Sequence, residues 1–115
     1  MTLKQAIKKI VKNWEEIKKA QTPDVIGYST PATVAVWVAE SDKSQPYEVD
    51  TEWIGVTKDG NLVWAYASGC SCWEGDYTEE TKPTIKEFTL NHNHLPEEWE
   101  KAIVEFAETN KIKQL

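Results

Sequence analysis

Asp59-Gly60 stands between two β-branched and aromatic runs, "DTEWIGVTK" and "NLVWAYAS", and no other pair of residues constrains the chain as strongly. A tight hairpin loop needs residues that tolerate positive φ, which Asp-Gly supplies at little steric cost, so the two runs are expected as adjacent antiparallel strands. Trp53, Gly55 and Thr57 share one face of the first strand, and Leu62, Trp64 and Tyr66 share one face of the second. Apolar residues lie on both faces of this pair. The sheet is therefore expected to be covered twice, by helices on one side and by a partner on the other.

The flanking segments supply those helices. Leu3, Ile7, Ile10, Trp14 and Ile17 recur at spacings of four, three, four and three, with Thr2 placed as N-cap and Pro23 ending the run. One amphipathic helix over 3–20 is expected, its stripe docked on the sheet. Pro96 followed by Glu97 and Glu98 suits a helix start, and Trp99, Ala102, Ile103, Phe106 and Ala107 form the apolar face of that helix. "ATVAVWVAE" (32–40) reads as a buried strand and "PTIKEFTL" (83–90) as a fourth strand, although Ile85 and Phe88 break the alternation. The expected fold class is α+β: an antiparallel sheet of three or four strands with N- and C-terminal helices packed on one face, within a single domain spanning 1–115.

Charge narrows the function classes. Residues 1–20 carry six lysines and two acids, +4, while residues 21–115 carry seven lysines and seventeen acids, −10, for a total of −6. The acidic body disfavours direct nucleic-acid binding, and the absence of arginine removes bidentate phosphate recognition. No stretch approaches the ~18 continuous apolar residues of a membrane span, and the lysine-interrupted N-terminus lacks a signal-peptide block, so a cytoplasmic protein is expected. Six tryptophans in a chain of 115 residues exceed what one core easily encloses, so some are expected at the surface, with homo-oligomerisation as one way to cover them.

The candidate site is the segment "YASGCSCWEGDYTEE" (66–80), which carries two cysteines, a tryptophan and several acids after a strand. About fifteen residues, from Gly69 to Pro83, are expected between strands, longer than compact connections usually run. As a recognition surface it offers Cys70, Ser71, Cys72, Trp73, Glu74, Asp76 and Tyr77: aromatic anchors of the kind that dominate interfaces, in an acidic rim with Glu79 and Glu80. Such a patch suits a protein partner with a basic surface. Two alternatives use the cysteines chemically. Cys70, Cys72, His92 and His94 are a legitimate tetrahedral zinc set, but both pairs are spaced by one residue where structural zinc sites use longer spacers. A cysteine nucleophile with a histidine base, oriented by Glu74 or Asp76, would make a Cys-dependent enzyme. A Cys-x-Cys disulfide closes a small strained ring, so reduced thiols are expected.

The run Gly-Cys-Ser-Cys-Trp-Glu-Gly-Asp at 69–76 resembles short stretches in small phage and prophage proteins in which a Cys-Ser-Cys follows a strand. The resemblance covers eight residues and transfers no activity or ligand. It implies a phage or mobile-element origin, where small acidic proteins often inhibit host enzymes or defence systems, anti-CRISPR proteins among them. The resulting expectation is a non-enzymatic cytoplasmic binding or inhibitor protein acting by stoichiometric association, with no cofactor unless zinc.

Overall fold

The computed structural model describes residues 1–22, 26, 31, 33–70, 76–89, 94 and 96–115. Helix α1 (Leu3–Lys12) opens with a capping box, in which Thr2 Oγ1 accepts from Gln5 N at 3.1 Å and Gln5 Oε1 accepts from Thr2 N at 2.9 Å. The run expected as one helix over 3–20 is two. At Asn13 the backbone turns to φ −106°, ψ 16°, and α2 (Trp14–Ala20) restarts beyond it. Strands β1 (Val36–Asp42), β2 (Glu48–Val56), β3 (Leu62–Cys70) and β4 (Thr78–Lys82) follow, then a 3-10 turn at Ile85–Glu87, helix α3 (Pro96–Thr109) and the short β5 (Lys113–Gln114).

These strands form one sheet in the order β4-β3-β2-β1-β5, antiparallel except for β5, which runs parallel to β1. The fold is α+β, with five strands where three or four were expected. The fourth strand is also not the expected one: of 83–90, the described residues 83–89 contribute the 3-10 turn, and β4 takes the edge instead. Ile85 and Phe88 are three apart, the period of a 3-10 turn and not of a strand. Because β3 continues to Cys70 and β4 begins at Thr78, the connection between them is shorter than the fifteen residues read from the sequence.

One sheet face packs against the helices. Ala6, Ile10, Trp14 and Ile17 from α1 and α2, and Trp99, Ile103 and Phe106 from α3, meet Val36, Val38, Ile54, Val56 and Leu62. The opposite face buries Ala35, Trp37, Trp53, Val63 and Ala65 under residues of the same chain, Ile26, Tyr77 and Ile112 among them. The expected partner is therefore not needed to cover that face. Nor do the described tryptophans reach the surface: Trp14, Trp37, Trp53, Trp64 and Trp99 are all at most 5% exposed. Trp73 lies outside the described residues.

Two devices hold β1 in register. Val38 is the extra residue of a bulge, since Trp37 pairs with Gly55 and Ala39 already with Ile54. Beside the bulge, the buried side chain of Gln21 takes the place of a neighbouring strand: its Nε2 donates to Trp37 O at 2.7 Å and its Oε1 accepts from Trp37 N at 2.8 Å. Opposite Trp37, Gly55 has no side chain because the indole occupies that space; a Cβ there would lie 2.7 Å from Trp37 Cε3 and 2.8 Å from Val36 O.

Candidate functional site

The register places the sequence-predicted loop and the β1-to-β2 turn at one end of the sheet. Glu48 pairs with Cys70 and Asp50 with Ser68, so residues 43–47 lie beside the end of β3. The turn is closed by Gln45 N donating to Glu48 O at 3.1 Å and Glu48 N donating to Gln45 O at 2.9 Å. At its tip Tyr47 adopts φ 68° and is 81% exposed. A left-handed backbone costs a non-glycine residue about 1–2 kcal/mol, and the phenol here gains no burial in return.

Carboxylates share this end of the sheet. Asp42 and Glu48 are exposed and Asp50 is half-buried there, against the single lysine of the turn, Lys43. Asp42 Oδ1 accepts from Ser44 N at 3.0 Å and from Thr51 Oγ1 at 3.2 Å. The Ser44 hydrogen bonds above all, with that from Thr51, hold the Asp42 carboxyl below its usual range, so it stays ionised. Two residues back along the same face of β1 burial pushes Glu40 up, and it likewise raises the Tyr77 hydroxyl, to which the negative charges of Glu40 and Asp42 add.

Of the residues expected to form the recognition surface, Cys70 ends β3, Asp76 is exposed and Tyr77 is half-buried against Trp53 on the second sheet face. Ser71, Cys72, Trp73 and Glu74 lie outside the described residues. Glu79 and Glu80 do more than rim the loop: Glu79 Oε1 accepts from the amide and hydroxyl of Thr33, and Glu80 accepts from the amide and hydroxyl of Thr89. Both therefore fasten edge strand β4 to neighbouring chain. Cys70 is disulfide-bonded, in place of the reduced thiol expected, and the only other cysteine of the chain is Cys72. In that state Cys70 offers neither a thiolate ligand nor a nucleophile.

His94, the described member of the histidine pair, is occupied elsewhere. Its Nδ1 lies 2.9 Å from Glu98 Oε2, and since a carboxylate only accepts, Nδ1 carries the proton. In the neutral ring Nε2 then accepts from the Ser41 hydroxyl at 2.8 Å. Glu52, 1% exposed, stands opposite Ser41 across β1 and β2. This position is four residues along β2 from Glu48, the partner of Cys70, roughly 13 Å at the rise of a strand. The described halves of the proposed zinc set are thus held at separate places in the sheet, and among the described residues no group of three His, Cys, Asp or Glu could hold a metal. His92 lies outside the described residues.

Ser41, His94 and Glu98 repeat the connectivity of an acyl-transfer triad, hydroxyl to imidazole to carboxylate. Sequence reading missed Ser41 and Glu98, which had no local signature. Access decides their role. The cleft of about 340 Å³ beside His94 is lined by Glu98, Lys101, Glu105 and Lys113 but not by Ser41, which is 2% exposed. A nucleophile that no substrate carbonyl can approach does no chemistry, so the three groups act as a polar pin between the start of α3 and β1. His94 is further fixed by Trp99, whose ring meets it edge-on at 5.6 Å. No helix among the described residues is long and apolar enough to cross a membrane. No family model, curated protein or solved structure matches the chain.

Proposed function

We propose that the protein is a non-enzymatic binding protein that associates stoichiometrically with the basic surface of a partner protein through the Tyr47 end of the sheet. The observation that carries this reading is Tyr47 itself, 81% exposed on a backbone at φ 68°. Strain retained at a position that contributes nothing to the core supports a role outside folding. The phenol is a rigid amphipathic anchor, and the carboxylates at that end supply complementarity to lysine and arginine. Trp73 and Glu74, which lie outside the described residues, are the further anchors that the sequence offers for such a partner. The likeness of 69–76 to phage and prophage stretches makes a host enzyme or defence protein, met in the cytoplasm, the class of partner, with inhibition as the consequence of occupancy.

Tyr47→Gly tests the assignment cleanly, because glycine relieves the backbone and leaves the fold as stable or about 1 kcal/mol more stable. Affinity capture from bacterial lysate should retain a basic protein near one-to-one with the wild type at low salt. Tyr47→Gly and Trp73→Ala should both lose it while keeping the native unfolding profile. Equal capture by wild type and Tyr47→Gly, or the absence of any basic protein at stoichiometric level, would overturn the reading.

A further inference from the structure

The lysines of the first helix frame a second surface, at the opposite end of the sheet. Helix α1 divides its apolar residues between two stripes. Ala6 and Ile10 are buried in the core, whereas Leu3, Ile7 and Val11, one turn apart from each other, are only partly buried. These three form one wall of a groove of about 650 Å³, closed on the far side by Asp59, Gly60, Pro83 and Thr84. The hairpin turn comes down onto this wall: Gly60, at φ 86°, is oriented so that a Cβ would meet Val11 Cγ2 at 3.6 Å and Ile7 Cγ2 at 3.7 Å.

Lys4, Lys8 and Lys12 line the same groove in steps of four residues. Like charges at this spacing repel along a helix. None of the ion pairs among the described residues, Lys58 with Glu15, His94 with Glu98 and Lys113 with Glu105, involves any of the three. An apolar trough with a cationic rim is complementary to an amphipathic anion. The remainder of the chain selects which one. Residues 21–115 carry a net −10, which repels an extended anionic surface such as a membrane or a nucleic acid but not a short segment confined to the groove.

We infer that the α1 groove is a docking site for an acidic amphipathic helix of a partner protein, its apolar residues seated on Leu3, Ile7 and Val11 and its carboxylates facing Lys4, Lys8 and Lys12. The ten residues of α1 span roughly 15 Å, so about three turns of such a helix fit, with anchors at i, i+4 and i+7. The site is distinct from the Tyr47 end in place and in sign of charge.

The probe is a fluorescein-labelled, amidated peptide of roughly fifteen residues, the three turns that α1 accommodates with a flanking residue or two at each end, with leucines at helical spacing and glutamates elsewhere. A scrambled peptide of the same composition is the control. Fluorescence anisotropy should show saturable one-to-one binding of the patterned peptide only, weakened about tenfold by Lys8→Glu with Lys12→Glu and less by the paired Gln variants. Both lysines are exposed, so the variants keep the fold, and an unchanged unfolding curve verifies it. Equal binding of the scrambled peptide, or indifference to the lysine variants, overturns the site. Lysine-dependent flotation with anionic vesicles, or lysine-dependent self-association without peptide, would show a different occupant and overturn the assignment to a partner helix.

Discussion

Replacing Gln21 with alanine isolates a contact on which β1 depends. Gln21 is 8% exposed and Trp37 is 1% exposed, and the amide side chain bonds both backbone groups of Trp37, at 2.7 and 2.8 Å. Alanine leaves a donor and an acceptor in place without a partner, each worth about 1–3 kcal/mol when buried, with partial recovery where water enters. The expected loss is about 2–4 kcal/mol, a large share of the ~5–15 kcal/mol that holds a domain of this size, or roughly 10 °C in Tm. Urea unfolding followed by tryptophan fluorescence reads it as a lower midpoint at unchanged slope. Gln21→Glu sharpens the test. At neutral pH its carboxylate can accept from Trp37 N but cannot donate to Trp37 O, so it should be at least as damaging as alanine. Burial raises such a carboxyl, and its protonated form donates, so stability relative to the wild type should recover as pH falls through that raised value. A loss under about 0.5 kcal/mol for Gln21→Ala, with the Trp37 amide still protected from exchange, would refute the reasoning.

Four further outcomes follow from the same geometry. Gly55→Ala should destabilise by about 1–3 kcal/mol, because the new methyl would lie 2.7 Å from the Trp37 ring and must displace it; an unchanged denaturation midpoint would show that the indole shifts freely. Ser41 should resist a fluorophosphonate probe in the folded protein, and Ser41→Ala should lower stability by about 1 kcal/mol through loss of its bond to His94; stoichiometric labelling would restore an enzymatic reading. Glu40→Gln should stabilise the protein at pH 7, since burial raises the Glu40 carboxyl and its ionised form opposes folding; the advantage should shrink as pH falls through the raised value and vanish below the unfolded value, and a pH-independent difference would contradict this. Protein denatured without reductant should show no thiol to Ellman's reagent, in keeping with the disulfide at Cys70, whereas two thiols, protected in the native state by zinc, would contradict the disulfide and favour the metal site.

The features legible in the sequence were those whose cause is local. Asp59-Gly60 makes its turn because Gly60 can sit at φ 86°, and Pro96 starts α3 because proline's missing N–H is not needed there. The apolar stripe of α3 reads correctly since Trp99, Ala102, Ile103, Phe106 and Ala107 all face one core. Strand β4, "TEETK", is invisible to pattern because an edge strand with its side chains largely in solvent has no alternation to show. The break at Asn13 falls inside an unbroken helical period, so nothing in the spacing marks it. Gln21 bonds across 16 residues and His94 across 53, and no local rule relates such partners. The candidate site shares this limit. The sequence pointed to 69–80, but Tyr47 joins that end only through the pairing of Glu48 with Cys70, which depends on the register of the whole hairpin.

That register also sets the relation between the two surfaces. The β2-to-β3 hairpin turns at Asp59-Gly60 against α1, and its strands run nine residues each to Glu48 and Cys70 at the other end. Nine residues of strand span roughly 30 Å, nearly four Debye lengths of about 8 Å at physiological salt. The lysine groove and the carboxylate end therefore act on their surroundings almost independently, despite their opposite signs. Had the charges been mixed along the sheet they would have neutralised one another at short range. Segregated, each end keeps a field of its own, so the two proposed partners, a basic surface and an acidic helix, would not compete for the same residues.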